Sequence, residues 1–94
     1  MNTIKMSQFG QILTGRDFGR KVIKELEGGL VHPVVLDFAD TISLGSSFGE
    51  EIVPAIAKRQ GDKVRVLNAN KAIWACLQKI ALDFRIEVSQ PTSA

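Results

Sequence analysis

The sequence predicts an α/β fold: about four mostly parallel strands with three helices on one face, in a single small domain over residues 1–88 with a polar tail at 89–94. Three observations predict it. Four short stretches alternate apolar and polar residues at the period of a strand. Three longer stretches repeat apolar residues at helical spacing. The two kinds alternate along the chain as β-α-β-α-β-α-β, the order of right-handed crossovers between parallel strands.

The first strand is read over residues 3–8, where Ile4 and Met6 alternate with Thr3, Lys5 and Ser7. Phe9-Gly10 followed by Ile12-Leu13 predicts a short hairpin strand. The first helix spans 15–27. Thr14 and Asp17 form a T-x-x-D start, Phe18, Val22, Ile23 and Leu26 form its apolar stripe, and Gly28-Gly29 ends it. Gly19 lets this helix approach a neighbour closely. His32, before Pro33, reads as a turn residue.

The second strand covers 33–38, with Val34, Leu36 and Phe38 on one face and Val35 and Asp37 on the other. The second helix follows Leu44-Gly45. Ser47 and Glu50 are spaced as a capping box, and Phe48, Ile52 and Ile56 share a face. Pro54 falls inside it and predicts a kink or a lost hydrogen bond.

The third strand, 63–68, sets Val64 and Val66 against Lys63 and Arg65. The third helix, 71–82, starts at Asn70 as its cap and buries Ile73, Leu77 and Ile80. Trp74 lies beside that stripe and reads as half-buried packing. The last strand, 85–89, pairs Ile86 and Val88 with Arg85 and Glu87. Each strand has one face carrying charge. A sheet covered on both sides reads as continuous apolar runs instead. One packed face and one open face follow, with every crossover stepping the same way, and Asp37 and Arg65 as a cross-strand pair on the open face.

With 94 residues, 45% of them hydrophobic and 23% charged, the chain has room for one modest core. A net charge of +2 is too small to argue for a nucleic-acid or membrane partner. No apolar run is long enough for a membrane span, and the first thirteen residues have no signal-peptide core. Cys76 is the one cysteine and His32 the one histidine, so an internal disulfide and a Cys/His metal site are excluded. A cytoplasmic setting is the expectation.

Ser43, Ser46 and Ser47 cluster at the entry to the second helix, where free N–H groups and the positive end of the helix dipole stabilise a phosphate. The competing reading makes Ser47 a plain helix cap. Asp37, Asp40, Glu50 and Glu51 bracket the same loop. Carboxylates at a strand's C-terminal end hold Mg²⁺ or accept a phosphoryl group in a response-regulator receiver, but the acidic pair a receiver carries after its first strand is Phe9-Gly10-Gln11 here. Solvated surface carboxylates are the competing reading. The segment 15–20, with Gly15, Gly19, Arg16 and Arg20, lacks the remaining residues of a phosphate-binding loop or dinucleotide motif. No catalytic constellation emerges.

The stretch 34–52 resembles the STAS fold, the anti-sigma-factor antagonist family, and most of all its branch called the STAS-like domain of unknown function. An apolar strand ends in Asp37-Phe38, a short loop follows, and Gly45, Phe48, Glu51 and Ile52 match the Gly-x-x-Phe-x-x-Glu-Ile opening of a helix. Asn68-Ala69-Asn70 and Arg16 at the head of the first helix are similar too, so the resemblance covers about residues 3–84. It implies a regulatory binding module and not an enzyme, with no cofactor, whose protein partner is a histidine-kinase-type (GHKL) ATPase. It further implies a phospho-acceptor serine at the head of the second helix, here Ser46 or Ser47. The Asp and Gly that flank those serines in the family are absent. The implied docking surface comprises Ser43, Gly45, Ser46, Ser47, Glu50 and Glu51. Two readings stand beside it: a receiver-like phospho-acceptor using Asp37 or Asp40 with Mg²⁺, and a nucleotide or small-ligand site at the second helix's N-terminus.

Overall fold

The structure is a computed structural model and describes residues 2–91. Six strands and three helices follow in the order β1 (Asn2–Lys5), β2 (Ile12–Leu13), α1 (Arg16–Glu27), β3 (Val34–Asp37), β4 (Ser43–Leu44), α2 (Ser46–Lys58), β5 (Lys63–Leu67), α3 (Lys71–Phe84) and β6 (Glu87–Ser89). Strands β1, β3, β5 and β6 form one sheet in that spatial order, all parallel. Every crossover therefore steps one place in the same direction, the singly wound arrangement that the strand patterning predicts.

The apolar residues of one sheet face and of all three helices form one buried cluster. It includes Ile4, Val34, Leu36, Val64, Val66 and Val88 from the strands. Val22, Phe48, Ile52, Ile56, Ile73, Leu77 and Ile80 meet them from the helices. The opposite face leaves Thr3, Lys5, Lys63, Arg65, Glu87 and Ser89 exposed. Val35 is buried on that face although it lies outside the core cluster. Its register neighbours are Thr3 and Arg65, and the aliphatic stem of an arginine covers apolar surface while its head stays wet.

Small residues set the helix spacing. A Cβ at Gly19 would stand 2.9 Å from Cβ of Glu51 and 3.0 Å from the Phe48 carbonyl oxygen, so α1 crosses α2 closely there. A Cβ at Gly49 would stand 2.6 Å from Cδ1 of Ile80, so the Ile80 side chain of α3 packs over this glycine of α2. Phe18 and Phe48 meet across the first of these seams with ring centroids 5.3 Å apart.

Side-chain amides finish the ends of strands and helices. Gln60 accepts from the Val34 N–H at 2.9 Å and donates to the Lys63 carbonyl at 2.7 Å and the Val34 carbonyl at 3.3 Å. It stands in for a strand residue ahead of β5. Its Oε1 also lies 2.8 Å from Nδ1 of His32, which fixes the turn residue before β3. Asn70 caps α3 as expected, its Oδ1 accepting from the Ile73 N–H at 2.8 Å.

Several expectations are corrected. The first strand ends at Lys5, and residues Met6–Phe9 form a 3₁₀ turn closed by the Gly10 N–H to the Ser7 carbonyl at 3.1 Å. Met6 stays buried in that turn, so its place in the alternation reflects burial and not strand. Ile12-Leu13 is a strand but not half of a hairpin. It pairs in parallel with Ser43-Leu44, Ile12 opposite Ser43 and Leu13 opposite Leu44, far along the chain. Neither serine-threonine box forms. Gly15 (φ 96°) and Gly45 occupy the cap positions of α1 and α2, placing Thr14 outside its helix and Ser47 inside the first turn. The cause at Gly45 is its N–H bond to the Leu13 carbonyl at 2.8 Å, which ends β4 and starts α2 two residues early.

The Asp37–Arg65 pair is also absent, because the register sets Arg65 beside Val35 and Asp37 beside Leu67. Pro54 sits inside α2, which runs through it from Ser46 to Lys58. Ser89, where the polar tail was expected to begin, ends β6, and residues 92–94 of that tail lie outside the described residues.

Candidate functional site

The head of α2 gathers most of the residues singled out in the sequence. The small β2–β4 pair delivers the chain to it. The Ile42 and Ser43 N–H groups both point at the Gln11 carbonyl, at 2.8 and 3.2 Å, and Leu13 lies beside Leu44. Gly45 then packs on Thr14, where an added Cβ would stand 3.1 Å from Thr14 Cγ2, so the heads of α1 and α2 lie side by side. The first intrahelical bond of α2 runs from the Gly49 N–H to the Gly45 carbonyl at 2.9 Å. The N–H groups before it have no intrahelical acceptor. Ser46 is exposed, while Ser43 and Ser47 are half-buried.

Glu50 and Glu51 are not free carboxylates. Arg16 donates from Nη2 to Glu50 Oε1 at 2.9 Å and from Nη1 to Glu51 Oε2 at 2.7 Å. Arg20 adds a bond from Nε to Glu51 Oε1 at 3.3 Å. The bonds from Glu50 and then Glu51 hold the Arg16 guanidinium above its ordinary pKa. Two arginines of α1 thus balance two glutamates of α2 across the seam that Gly19 brings close. The arginines were legible as the start of an exposed helix. Their pairing was not, because it joins residues 34 and 35 positions apart.

Two further features of the site were missed. Ile12 and Ile42 are 62% and 58% exposed where a buried residue would be expected of their type, and both flank Ser43. Ile12 is its direct strand partner, and the Ile42 carbonyl accepts from Asn70 Nδ2 at 3.0 Å. The strand alternation gave no warning, since a two-residue strand is too short to show a period.

The carboxylates of the preceding loop do structural work. Asp37 Oδ1 accepts from Asn68 Nδ2 and from the Ala39 N–H, both at 2.9 Å. The Asn68 bond first, then the Ala39 bond, hold this carboxyl below its usual range against the opposing effect of burial, and Lys5 adds to the lowering. Asp40 is exposed in a turn at φ 63°. Among the described residues, no group of three or more His, Cys, Asp or Glu side chains is placed to hold a metal ion.

Trp74 packs half-buried against the core, as its position beside the stripe predicts. Cys76 is half-buried as well, and burial pushes its thiol pKa up, away from the reactive thiolate. An open groove of about 350 Å³ lined by Gln78, Ala81, Leu82, Arg85 and Ile86 lies at the far end of α3 from Asn70. No described helix is long and apolar enough to cross a membrane. Comparison with protein-family models, curated proteins and solved structures gives no match, and so nothing identifies the chain as a STAS-like domain.

Proposed function

We propose that this chain is a regulatory protein–protein interaction module of STAS-like type that docks a GHKL-type ATPase through the head of α2. The observation that carries the reading is the make-up of that surface. Two serines open the first turn of α2, and two exposed isoleucines, Ile12 in β2 and Ile42 just before β4, flank Ser43 on the approach to it. Apolar contact with a polar rim is the composition of a protein interface, and serines in a first helical turn are favourable places for a phosphate. Ser46, the exposed one, is the first phospho-acceptor candidate and Ser47 the second. In that modification the serine oxygen bonds to the γ-phosphorus of a nucleoside triphosphate. The bond from that phosphorus to its bridging oxygen breaks, the diphosphate leaves, and the hydroxyl proton passes to the kinase's base.

The receiver-like alternative has less support. Asp37 spends its Oδ1 on Asn68 and Ala39, and the described carboxylates do not gather as Mg²⁺ ligands.

Affinity capture of tagged protein from its native cells, with mass spectrometry of the eluate, tests the proposal. A kinase-like ATPase is expected, lost when Ile12 and Ile42 are both changed to Ser. Phosphate resistant to hydroxylamine is expected on Ser46 or Ser47. A hydroxylamine-labile phosphate on Asp37 or Asp40 would instead establish the receiver chemistry. Absence of any ATPase would overturn the partner assignment.

A further inference from the structure

We infer that Arg16 is the element that senses modification of the head of α2: it binds a phosphate on Ser46 or Ser47 and releases Glu50 and Glu51 when it does so. The inference deepens the proposed function and rests on its phospho-acceptor assignment. Its ground is the placement of one forked guanidinium. Arg16 already holds both glutamates, at 2.9 and 2.7 Å. Ser46 precedes Glu50 by four residues, and Ser47 precedes Glu51 by four, all within α2. Residues four apart on a helix have Cβ atoms about 5–6 Å from each other. A phosphate on either serine therefore arises one helical turn from the carboxylates that now occupy Arg16. Thr14, two residues before Arg16, already touches Gly45, one residue before Ser46, so α1 and α2 begin next to one another.

Charge decides the exchange. A phosphoserine carries about −1.5 to −2 near neutral pH and offers three acceptor oxygens in the geometry that a guanidinium grips with two bonds. Each glutamate offers one charge. The phosphate wins the fork, and only Arg20, 3.3 Å from Glu51, remains to hold a glutamate. The charged groups of the unmodified seam are Arg16, Arg20, Glu50 and Glu51, with Asp17 fully exposed 3.9 Å from Arg20. The first four sum to zero. After modification the same surface carries about two added negative charges, and Glu50 is unpaired. One covalent event thus converts a neutral seam beside the docking residues into an acidic one, which repels any partner that tolerated the neutral form.

The experiment uses full-length chains carrying phosphoserine at position 46 or at position 47, introduced during synthesis so that no cellular kinase is needed. The second ionisation of the phosphate is followed by ³¹P NMR. With Arg16 present, its midpoint is expected below the value of about 6 for free phosphoserine, by about one unit at one of the two positions. Arg16→Gln should raise it toward the free value, leaving only the part owed to the free N–H groups of α2, and Arg16→Lys should keep more of the shift. Arg16 is exposed, so both variants fold, and their thermal unfolding verifies it. Equal midpoints in the parent and Arg16→Gln chains at both positions would overturn the inference. Because the phosphate is supplied synthetically, this outcome is separate from failure of the phospho-acceptor reading, which would show as no phosphate on protein from native cells.

Discussion

Gly19 is the residue on which the distance between α1 and α2 depends. Its missing side chain leaves room for Cβ of Glu51 and the backbone carbonyl of Phe48, and backbone cannot swing aside. Gly19→Ala gains about 1 kcal/mol of helix propensity but forces two helices apart, at a cost of about 1–3 kcal/mol. A net loss of up to about 2 kcal/mol in urea unfolding is expected. Gly28→Ala is the control: that glycine has helical dihedrals and nothing within 4 Å of an added Cβ, so stability should rise by about 0.4–1 kcal/mol. Equal effects at the two sites would show that the seam has slack. Asp37 yields a second prediction. Its carboxyl is depressed in the folded state by Asn68 and Ala39, so it adds stability that is complete above the unfolded pKa of about 3.9 and fades as pH falls through the lower folded value. Asp37→Asn should flatten the acid limb of a stability–pH curve below about pH 5 and leave its slope near neutrality unchanged. Neither contact partner was legible in the sequence. Gly19 announced a close approach without saying to what, and Asp37 was assigned to Arg65 because alternation fixes the face of a residue but not its register.

At the level of elements, α2 is the one whose sequence argues against its structure. Pro54 has no N–H to donate to the Glu50 carbonyl, yet the helix continues through it because Ile52, Val53, Ile56 and Ala57 are all buried on its two sides. An interior proline costs about 3 kcal/mol relative to alanine, and part of that is already absorbed by adjustment of the helix. Pro54→Ala should stabilise the fold by about 1–3 kcal/mol in the same unfolding assay, and a loss of stability would mean that the ring's own packing outweighs the missing bond. Gln60 makes the reverse case: Gln60→Ala removes the acceptor of the Val34 N–H and both donations to carbonyls, at a cost of about 1–3 kcal/mol. The main strands and all three helices were readable because each repeats a local period over enough residues to be seen. The 3₁₀ turn and the β2–β4 pair were not. The turn keeps Met6 buried where a strand would, and the pair is two residues long and depends on a partner distant in the chain. The capping boxes failed for a related reason: the ladder bond from Gly45 to Leu13 decides where α2 begins, and that bond is tertiary.

Across the whole molecule, the sheet order β1-β3-β5-β6 has a functional consequence. Open parallel sheets bind ligands in the crevice where strand order reverses, between loops that leave in opposite directions. This sheet never reverses, its helices share one face, and so the crevice does not form. The residues that do converge, at the head of α2, are serines and a neutralised Arg–Glu seam, with Ile12 and Ile42 exposed beside Ser43. The protein partner proposed for that surface and a bound nucleotide are separable by linkage. A nucleotide present at a hundred times its dissociation constant would stabilise the fold by about 2.7 kcal/mol. In a domain of this size each kcal/mol moves the midpoint by roughly 4–8 °C, so bound nucleotide would raise Tm by about 10 °C or more. Thermal unfolding with millimolar Mg²⁺-ATP or Mg²⁺-GTP should leave the midpoint within about 1 °C of the free protein, an interval far smaller than saturation would give. A rise of several degrees that disappears in Ser46→Ala or Ser47→Ala chains would transfer the head of α2 from partner docking to small-ligand binding, with the serines as ligands and not as phospho-acceptors.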